Sequence, residues 1–243
     1  MELTTEAREP GCYGASMLKL YGHDTSPYVR RIRVLLAELG LPFVRDPRSW
    51  TVADADVLRL NPCLRVPALE APRDGGGTQL LLDSRIIAAF LYAQPGRSPA
   101  PLADSQLPLA STLFHDAARW DDENALGILD AAQDSLINLF VLELDGITPA
   151  QSPYLQRQYA RVQSCLGWLD ARLGEHASFH ADRFSYLDIA LACSLDWAQF
   201  RDRYPVRQHR NIARALDQHA DRPSLSTTHP RLAANAALPK AGK

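Results

Sequence analysis

Leu18–Phe43 reads LKLYGHDTSPYVRRIRVLLAELGLPF, and this stretch decides the fold. Met17 to Tyr21 is a short apolar run, the length of a strand, and Gly22-His23-Asp24-Thr25 is a loop. Val29, Ile32, Leu35, Leu36 and Leu39 then recur at helical spacing. Ser26 before Pro27 is a helix start: a hydroxyl at the N-cap and a proline at the first helical position. Gly40 stops the helix and Pro42 blocks its continuation. Ser26 therefore stands where a buried strand meets a helix N-terminus. Free backbone N–H groups and the positive end of a helix dipole make that a place to hold an anion.

Downstream, Pro42-Phe43-Val44-Arg45 reads as a second strand, and a short helix is expected around 53–60. Asn61 to Leu69 is a loop entering a strand, Gly75-Gly76-Gly77 a turn, and Thr78 to Leu82 the return strand. The glycines are no phosphate cradle, because a strand and not a helix follows them. Asp83-Ser84 opens a helix through Ile86, Ile87, Phe90 and Leu91. The order β-α-β-α-β-β-α over 17–94 predicts an α/β layer. Prolines at 95, 99, 101 and 108 mark 95–108 as a linker. Strand signals then cease, and 109–225 reads as all-helical, with helices near 109–144, 152–173, 185–203 and 207–219. Ser152-Pro153 repeats the start signal of Ser26-Pro27. Residues 1–16 are a polar leader without an apolar core, expected to be disordered, and 226–243 a polar, poorly ordered tail.

Across 243 residues a net charge of -2 gives no reason to expect nucleic acid or an anionic membrane as partner. No apolar run is expected to span a bilayer. Cys12, Cys63, Cys165 and Cys193 lie far apart, with no Cys-x-x-Cys and no metal-ligand spacing, so neither a metal nor a disulfide framework is expected. A reduced, cytoplasmic setting is the default.

Four motifs in order, T-S-P-Y-V-R-R-I-R (25–33), N-P-x-x-R-V-P (61–67), L-D-S-R-I-I (82–87) and F-S-Y-L-D-I-A (184–190), are followed or enclosed by a helical half. Together they resemble the cytosolic glutathione transferase family, and most closely its small bacterial serine-type members. The resemblance runs from Met17 to about Leu225. It implies a thioredoxin-like α/β N-terminal domain, an all-α C-terminal domain, glutathione as co-substrate and a homodimer.

On that resemblance Ser26 donates a hydrogen bond to the glutathione thiolate. The energetics suffice: lowering a thiol pKa of ~8.5 by about two units takes roughly 2.7 kcal/mol. A hydrogen bond to a charged group supplies about 1.5–3 kcal/mol and a helix N-terminus about 0.3–1 more. Read from the residues alone, Ser26 is a helix cap. The two roles are compatible, since a hydroxyl accepts from a backbone N–H while donating to sulfur. Thr25, Tyr21 and Tyr28 carry the competing hydroxyls. Tyr21 ends a buried strand, and Tyr28 is placed toward the second substrate.

The resemblance further implies a cis bond at Val66-Pro67 that turns the Val66 N–H and C=O toward the cysteinyl part of glutathione, as in strand addition. It puts Arg65 at the glycyl carboxylate, Ser84 at the γ-glutamyl carboxylate and Asp83 at the γ-glutamyl ammonium. By residue type alone, Arg65 is a solvated arginine and Asp83-Ser84 a helix cap. Cys63 shares the Val66 loop and reads as an idle thiol. Ser185 and Asp188 form a capping box with Phe184 as staple to Ile189, a folding device. Trp120 and Asn124, four apart on the first long helix, are candidates for the second-substrate pocket, while the acids between them and His115 read as a solvated face. The expected function is transfer of glutathione to a small apolar electrophile. A non-catalytic adaptor and a glutathione-dependent disulfide reductase or peroxidase are the alternatives.

Overall fold

In a computed structural model describing residues 17–47, 61–73, 75–93, 119–181 and 183–237, the opening stretch forms β1 (Leu18–Tyr21) and α1 (Pro27–Glu38). The α1 helix ends as its glycine requires. Gly40 takes φ +62°, its N–H reaches the Ala37 carbonyl (3.1 Å), and the Leu41 N–H reaches that of Leu36 (2.9 Å). Those two bonds satisfy carbonyls that a plain helix end would leave unpaired.

β2 (Phe43–Asp46) pairs parallel with β1, while β3 (Ala68–Pro72) pairs antiparallel with β1 and with β4 (Thr78–Leu82). The sheet order is β2-β1-β3-β4. Pairing Leu20 with Leu69 sets both into the core beneath α1 and α2 (Ser84–Tyr92). The mixed sheet with its helices is a thioredoxin-like layer. The expected helix around 53–60, the linker 95–108, the leader with Cys12, and the helical start at 109–118 with His115 lie outside the described residues.

The second half is helical: α3 (Arg119–Leu144), α4 (Pro153–Leu173), α5 (Tyr186–Phe200), a 3-10 turn (Val206–Gln208), α6 (Arg210–His219), α7 (Pro223–Ser226) and α8 (Pro230–Ala237). Ser152 caps α4 through the Leu155 N–H (3.4 Å), as its Ser-Pro start predicts. Two expectations are corrected here. The chain beyond 226 is not simply a loose tail: Thr228 and Pro230 are buried and α8 follows them. And α3, over Trp120–Leu144, is by length and composition apolar enough to cross a bilayer, although acids interrupt its apolar run. In this fold it is a core helix. Ala125, Leu129, Ala132 and Leu136 are buried in one cluster with Leu166, Leu169, Ile189 and Leu195 of α4 and α5.

One apolar cluster runs through both halves of the molecule, and α1 is its hinge. Val29, Ile32, Val34, Leu35 and Leu36 are buried over most of that helix, which leaves only the strip of Arg33 and Ala37 toward solvent. Arg30, Arg31 and Glu38 are buried too and find partners in the helical half. Arg30 donates to Asp196 Oδ2 (2.7 Å), the Leu225 carbonyl (3.0 Å) and Thr228 Oγ1 (3.2 Å). Arg31 pairs with Asp130 and donates to Ser194 Oγ (2.8 Å). Glu38 accepts a bidentate pair from Arg222, both bonds 2.7 Å, and a bond from the Ser224 hydroxyl. These three clamps fix the two halves on either side of α1, and with them whatever approaches its N-terminus.

Candidate functional site

Ser26 is the N-cap of α1, 5% exposed, with its Oγ accepting the Val29 N–H (3.3 Å) and its own N–H bonded to the His23 carbonyl (3.1 Å). Among the described residues its hydroxyl proton has no acceptor, so it can be donated to a ligand. The loop before it is drawn tight: Gly22 has φ +134°, and a Cβ there would lie 2.4 Å from Val29 Cγ2 and 2.9 Å from Val66 Cβ. Glycine at 22 thus lets the Ser26 loop and the Val66 loop touch.

The Val66–Pro67 peptide is cis, as expected. Asn61, fully buried, fixes the loop from inside. Its Nδ2 donates to the Arg65 carbonyl (2.7 Å), and its own carbonyl accepts the Leu64 N–H (3.1 Å), with Leu64 at φ +48°. Among the described residues neither the N–H nor the C=O of Val66 has a hydrogen-bond partner. A half-buried backbone with both groups open is an unfilled strand edge. The Arg65 side chain is exposed and has no partner among the described residues. Cys63 is exposed with a free thiol.

Asp83 and Ser84 form a sharp corner between β4 and α2. Asp83, not Ser84, is the cap: it takes φ +79° and its Oδ1 accepts the Arg85 N–H (2.7 Å). Ser84 is the first helical residue, buried, with no partner for its hydroxyl among the described residues. Its carbonyl accepts the Tyr186 hydroxyl (3.3 Å) from the first turn of α5. The α5 start is held by Asp188, whose Oδ2 accepts the Ser185 N–H (2.7 Å) and hydroxyl (2.6 Å) and whose Oδ1 accepts the Phe179 N–H (3.0 Å). The capping box read from the sequence therefore also positions a tyrosine under Ser84.

The remaining candidates divide. The Tyr28 hydroxyl donates to Asp134 Oδ1 of α3 (2.6 Å), its ring lies under the Arg31 guanidinium (4.9 Å), and burial pushes its pKa far up. That proton is already committed. Tyr21 donates to Glu70 (2.8 Å), and Thr25 shares a bond with His23 Nδ1 (3.2 Å). Burial and the nearby Arg201 lower the His23 pKa, so its ring is neutral at pH 7. Trp120 is 66% exposed and Asn124 is exposed. Their spacing sets them on the helix strip that continues through Gly127 and Ala131 to Asp134, the partner of Tyr28. The residues that sequence reading missed are Arg30, Arg31 and Glu38, which hold α1 in place. The signal for them is the breadth of the buried face, which leaves only the Arg33–Ala37 strip open.

Two family models match the chain. The glutathione S-transferase N-terminal domain matches residues 20–99 and the glutathione S-transferase C-terminal domain residues 152–234, together two thirds of the length. An uncharacterised GST-like protein, YibF of Escherichia coli K12, is 28% identical over 218 residues, covering 88% of this chain and 98% of its own. Glutathione S-transferase GstB of the same strain is 29% identical over 192 residues, covering 72% and 80%. A glutathione transferase family member from Pseudomonas fluorescens Pf-5, crystallised with glutathione bound, superposes with a TM-score of 0.64 at 27% identity, covering 88% of this chain and 98% of its own.

Proposed function

Since the chain belongs to the glutathione S-transferase family, we propose that it binds glutathione along the Val66 backbone, holds its thiolate at Ser26 and transfers it to a small apolar electrophile. The observation that carries this reading is the open N–H and C=O of Val66, pressed against the Ser26 loop through Gly22. An extended tripeptide completes that edge through its cysteinyl residue. Its thiol then reaches the end of α1, where the Ser26 proton and the helix dipole stabilise the anion. The free Arg65 guanidinium is suited to the glycyl carboxylate, and the open Ser84 hydroxyl with the Asp83 carboxylate to the γ-glutamyl end. Sulfur then forms a bond to the electrophilic carbon of the second substrate, and a leaving group departs or a double bond takes up the electron pair. The second substrate enters beside Tyr28 and the α3 strip of Trp120 and Asn124. The enzyme acts as a cytoplasmic homodimer in this account.

The test is an amide-resolved titration with glutathione. The Val66 N–H resonance is expected to move downfield and to become protected from exchange. A saturable glutathione complex that leaves the Val66 amide unmoved would refute this binding mode, and the absence of any complex would refute the function.

A further inference from the structure

A cavity of about 220 Å³ opens between α1, α5, α6 and the segment 225–231. Neither Ser26 nor Val66, Arg65 or Ser84 lines it. Its charged lining is Arg30, Asp196, Arg207, Asp217, His229 and Arg231. Most of that charge is spent internally. Arg30, 1% exposed, is paired with Asp196 (2.7 Å), and its other N–H groups are held by the Leu225 carbonyl and Thr228. Arg207 is paired with Asp217 (2.6 Å). His229 Nε2 stands 3.9 Å from Asp196 Oδ2, and burial lowers its pKa, so the ring is neutral at pH 7. Arg231 is left over: among the described residues no carboxylate faces its guanidinium. Its backbone N–H, bonded to His229 Nδ1 (3.2 Å), anchors the first turn of α8 at the rim.

Among the described residues, the lining therefore includes one cation with no carboxylate partner, Arg231, beside two arginines that are paired internally. The intervening wall is apolar, with Ala192, Leu216 and Leu225. A guanidinium fork matches a carboxylate through two parallel N–H···O bonds. The volume lies below the roughly 300–1,000 Å³ of drug-sized sites, which limits the occupant to a small molecule.

We propose that this cavity is a binding site for a small organic monocarboxylate with an apolar body, its carboxylate on Arg231 and its body against Leu216 and Leu225. The site is separate from the glutathione site, so its test does not depend on the transferase reading. Benzoate is the probe, titrated by calorimetry into the full chain with and without saturating glutathione. Saturable millimolar binding is expected in both conditions, with benzamide, the neutral isostere, binding at least about tenfold more weakly, the scale of one lost charge-assisted hydrogen bond. Arg231→Ala, which removes an exposed side chain and leaves the backbone bond to His229, is expected to lose benzoate by a similar factor at an unchanged Tm. Arg231→Lys is expected to retain part of it, and Ser26→Ala all of it. No saturable benzoate binding, equal binding of benzamide, equal binding by Arg231→Ala, or inorganic phosphate binding as tightly as benzoate would each overturn the proposal.

Discussion

Replacing Arg31 by methionine removes the cation at the centre of α1 while keeping most of its volume. Arg31 is fully buried, bonded to Asp130 and to Ser194 Oγ (2.8 Å), and stacked on Tyr28 (4.9 Å). The Asp130 carboxylate that remains is only 21% exposed and keeps just Arg85 Nη1 at 3.9 Å, so it is poorly solvated and only weakly paired. Breaking a buried pair from one side costs about 3–5 kcal/mol, and the partial exposure of Asp130 puts this case near 3. At about 2–4 °C per kcal/mol for a chain of this size, Tm falls by roughly 6–12 °C. Arg31→Met combined with Asp130→Asn removes the stranded charge, so the double variant recovers at least about 1 kcal/mol of that loss. Urea unfolding of the parent, both single variants and the double variant measures each corner of the cycle. A loss below about 1 kcal/mol in Arg31→Met, or strict additivity in the double variant, would refute the reasoning that the pair clamps the two halves.

Other expectations follow from the same contacts. Asp188→Ala strands the buried Ser185 N–H and the half-buried Phe179 N–H and is expected to cost about 2–4 kcal/mol in urea unfolding. Glutathione affinity of the protein that remains folded should fall no more than a few-fold, through Tyr186 and Ser84. Arg65→Ala removes an exposed charge and is expected to weaken glutathione binding only about 2–5-fold by calorimetry, the scale of a solvent-screened pair. Stability is expected to fall with acid. The folded-state pKa values of His23, His209, His219 and His229 lie below the ordinary 6.5 through burial. Below that value the unfolded chain binds protons that these rings refuse, so stability is lost as pH drops through the mid-6 range. His180 opposes this: Asp122 raises its pKa, and its contribution, complete in acid, is lost as pH rises through the raised value. Urea midpoints should therefore be lower at pH 5.5 than at 7.5, about those shifts; an equal or higher midpoint in acid would contradict them.

The local signals in the sequence were good guides because they report on neighbours within four residues. Ser26-Pro27 and Ser152-Pro153 start helices, Gly40 closes one in left-handed geometry, and the β3–β4 hairpin follows from the turn chemistry at 75–77. Asp83-Ser84 marked a helix start but not which residue caps, since both types cap well and only the φ of +79° at Asp83 decides. What the sequence concealed is long-range. Arg31 meets its carboxylate 99 positions away, Arg30 166 and Glu38 184, and no window along the chain contains both partners. For the same reason the segment after 226 looks like a polar tail, although Thr228 is buried against Arg30. Tyr28 was placed toward a substrate on sequence grounds, and only the fold brings Asp134 to its hydroxyl.

The most direct measurement of the central claim is the proton released when glutathione binds. Calorimetric titrations of the parent and of Ser26→Ala, in buffers of different ionisation heat and across pH ~6–9, bracket the free thiol pKa of ~8.5. A Ser26 hydrogen bond of about 1.5–3 kcal/mol to the thiolate lowers that pKa by roughly one to two units. The account predicts that the parent releases roughly 0.4–0.8 of a proton near pH 7.5 and that Ser26→Ala binds glutathione with that release largely lost. Equal proton release by the two proteins would contradict it, and would leave Ser26 as the cap of α1 alone.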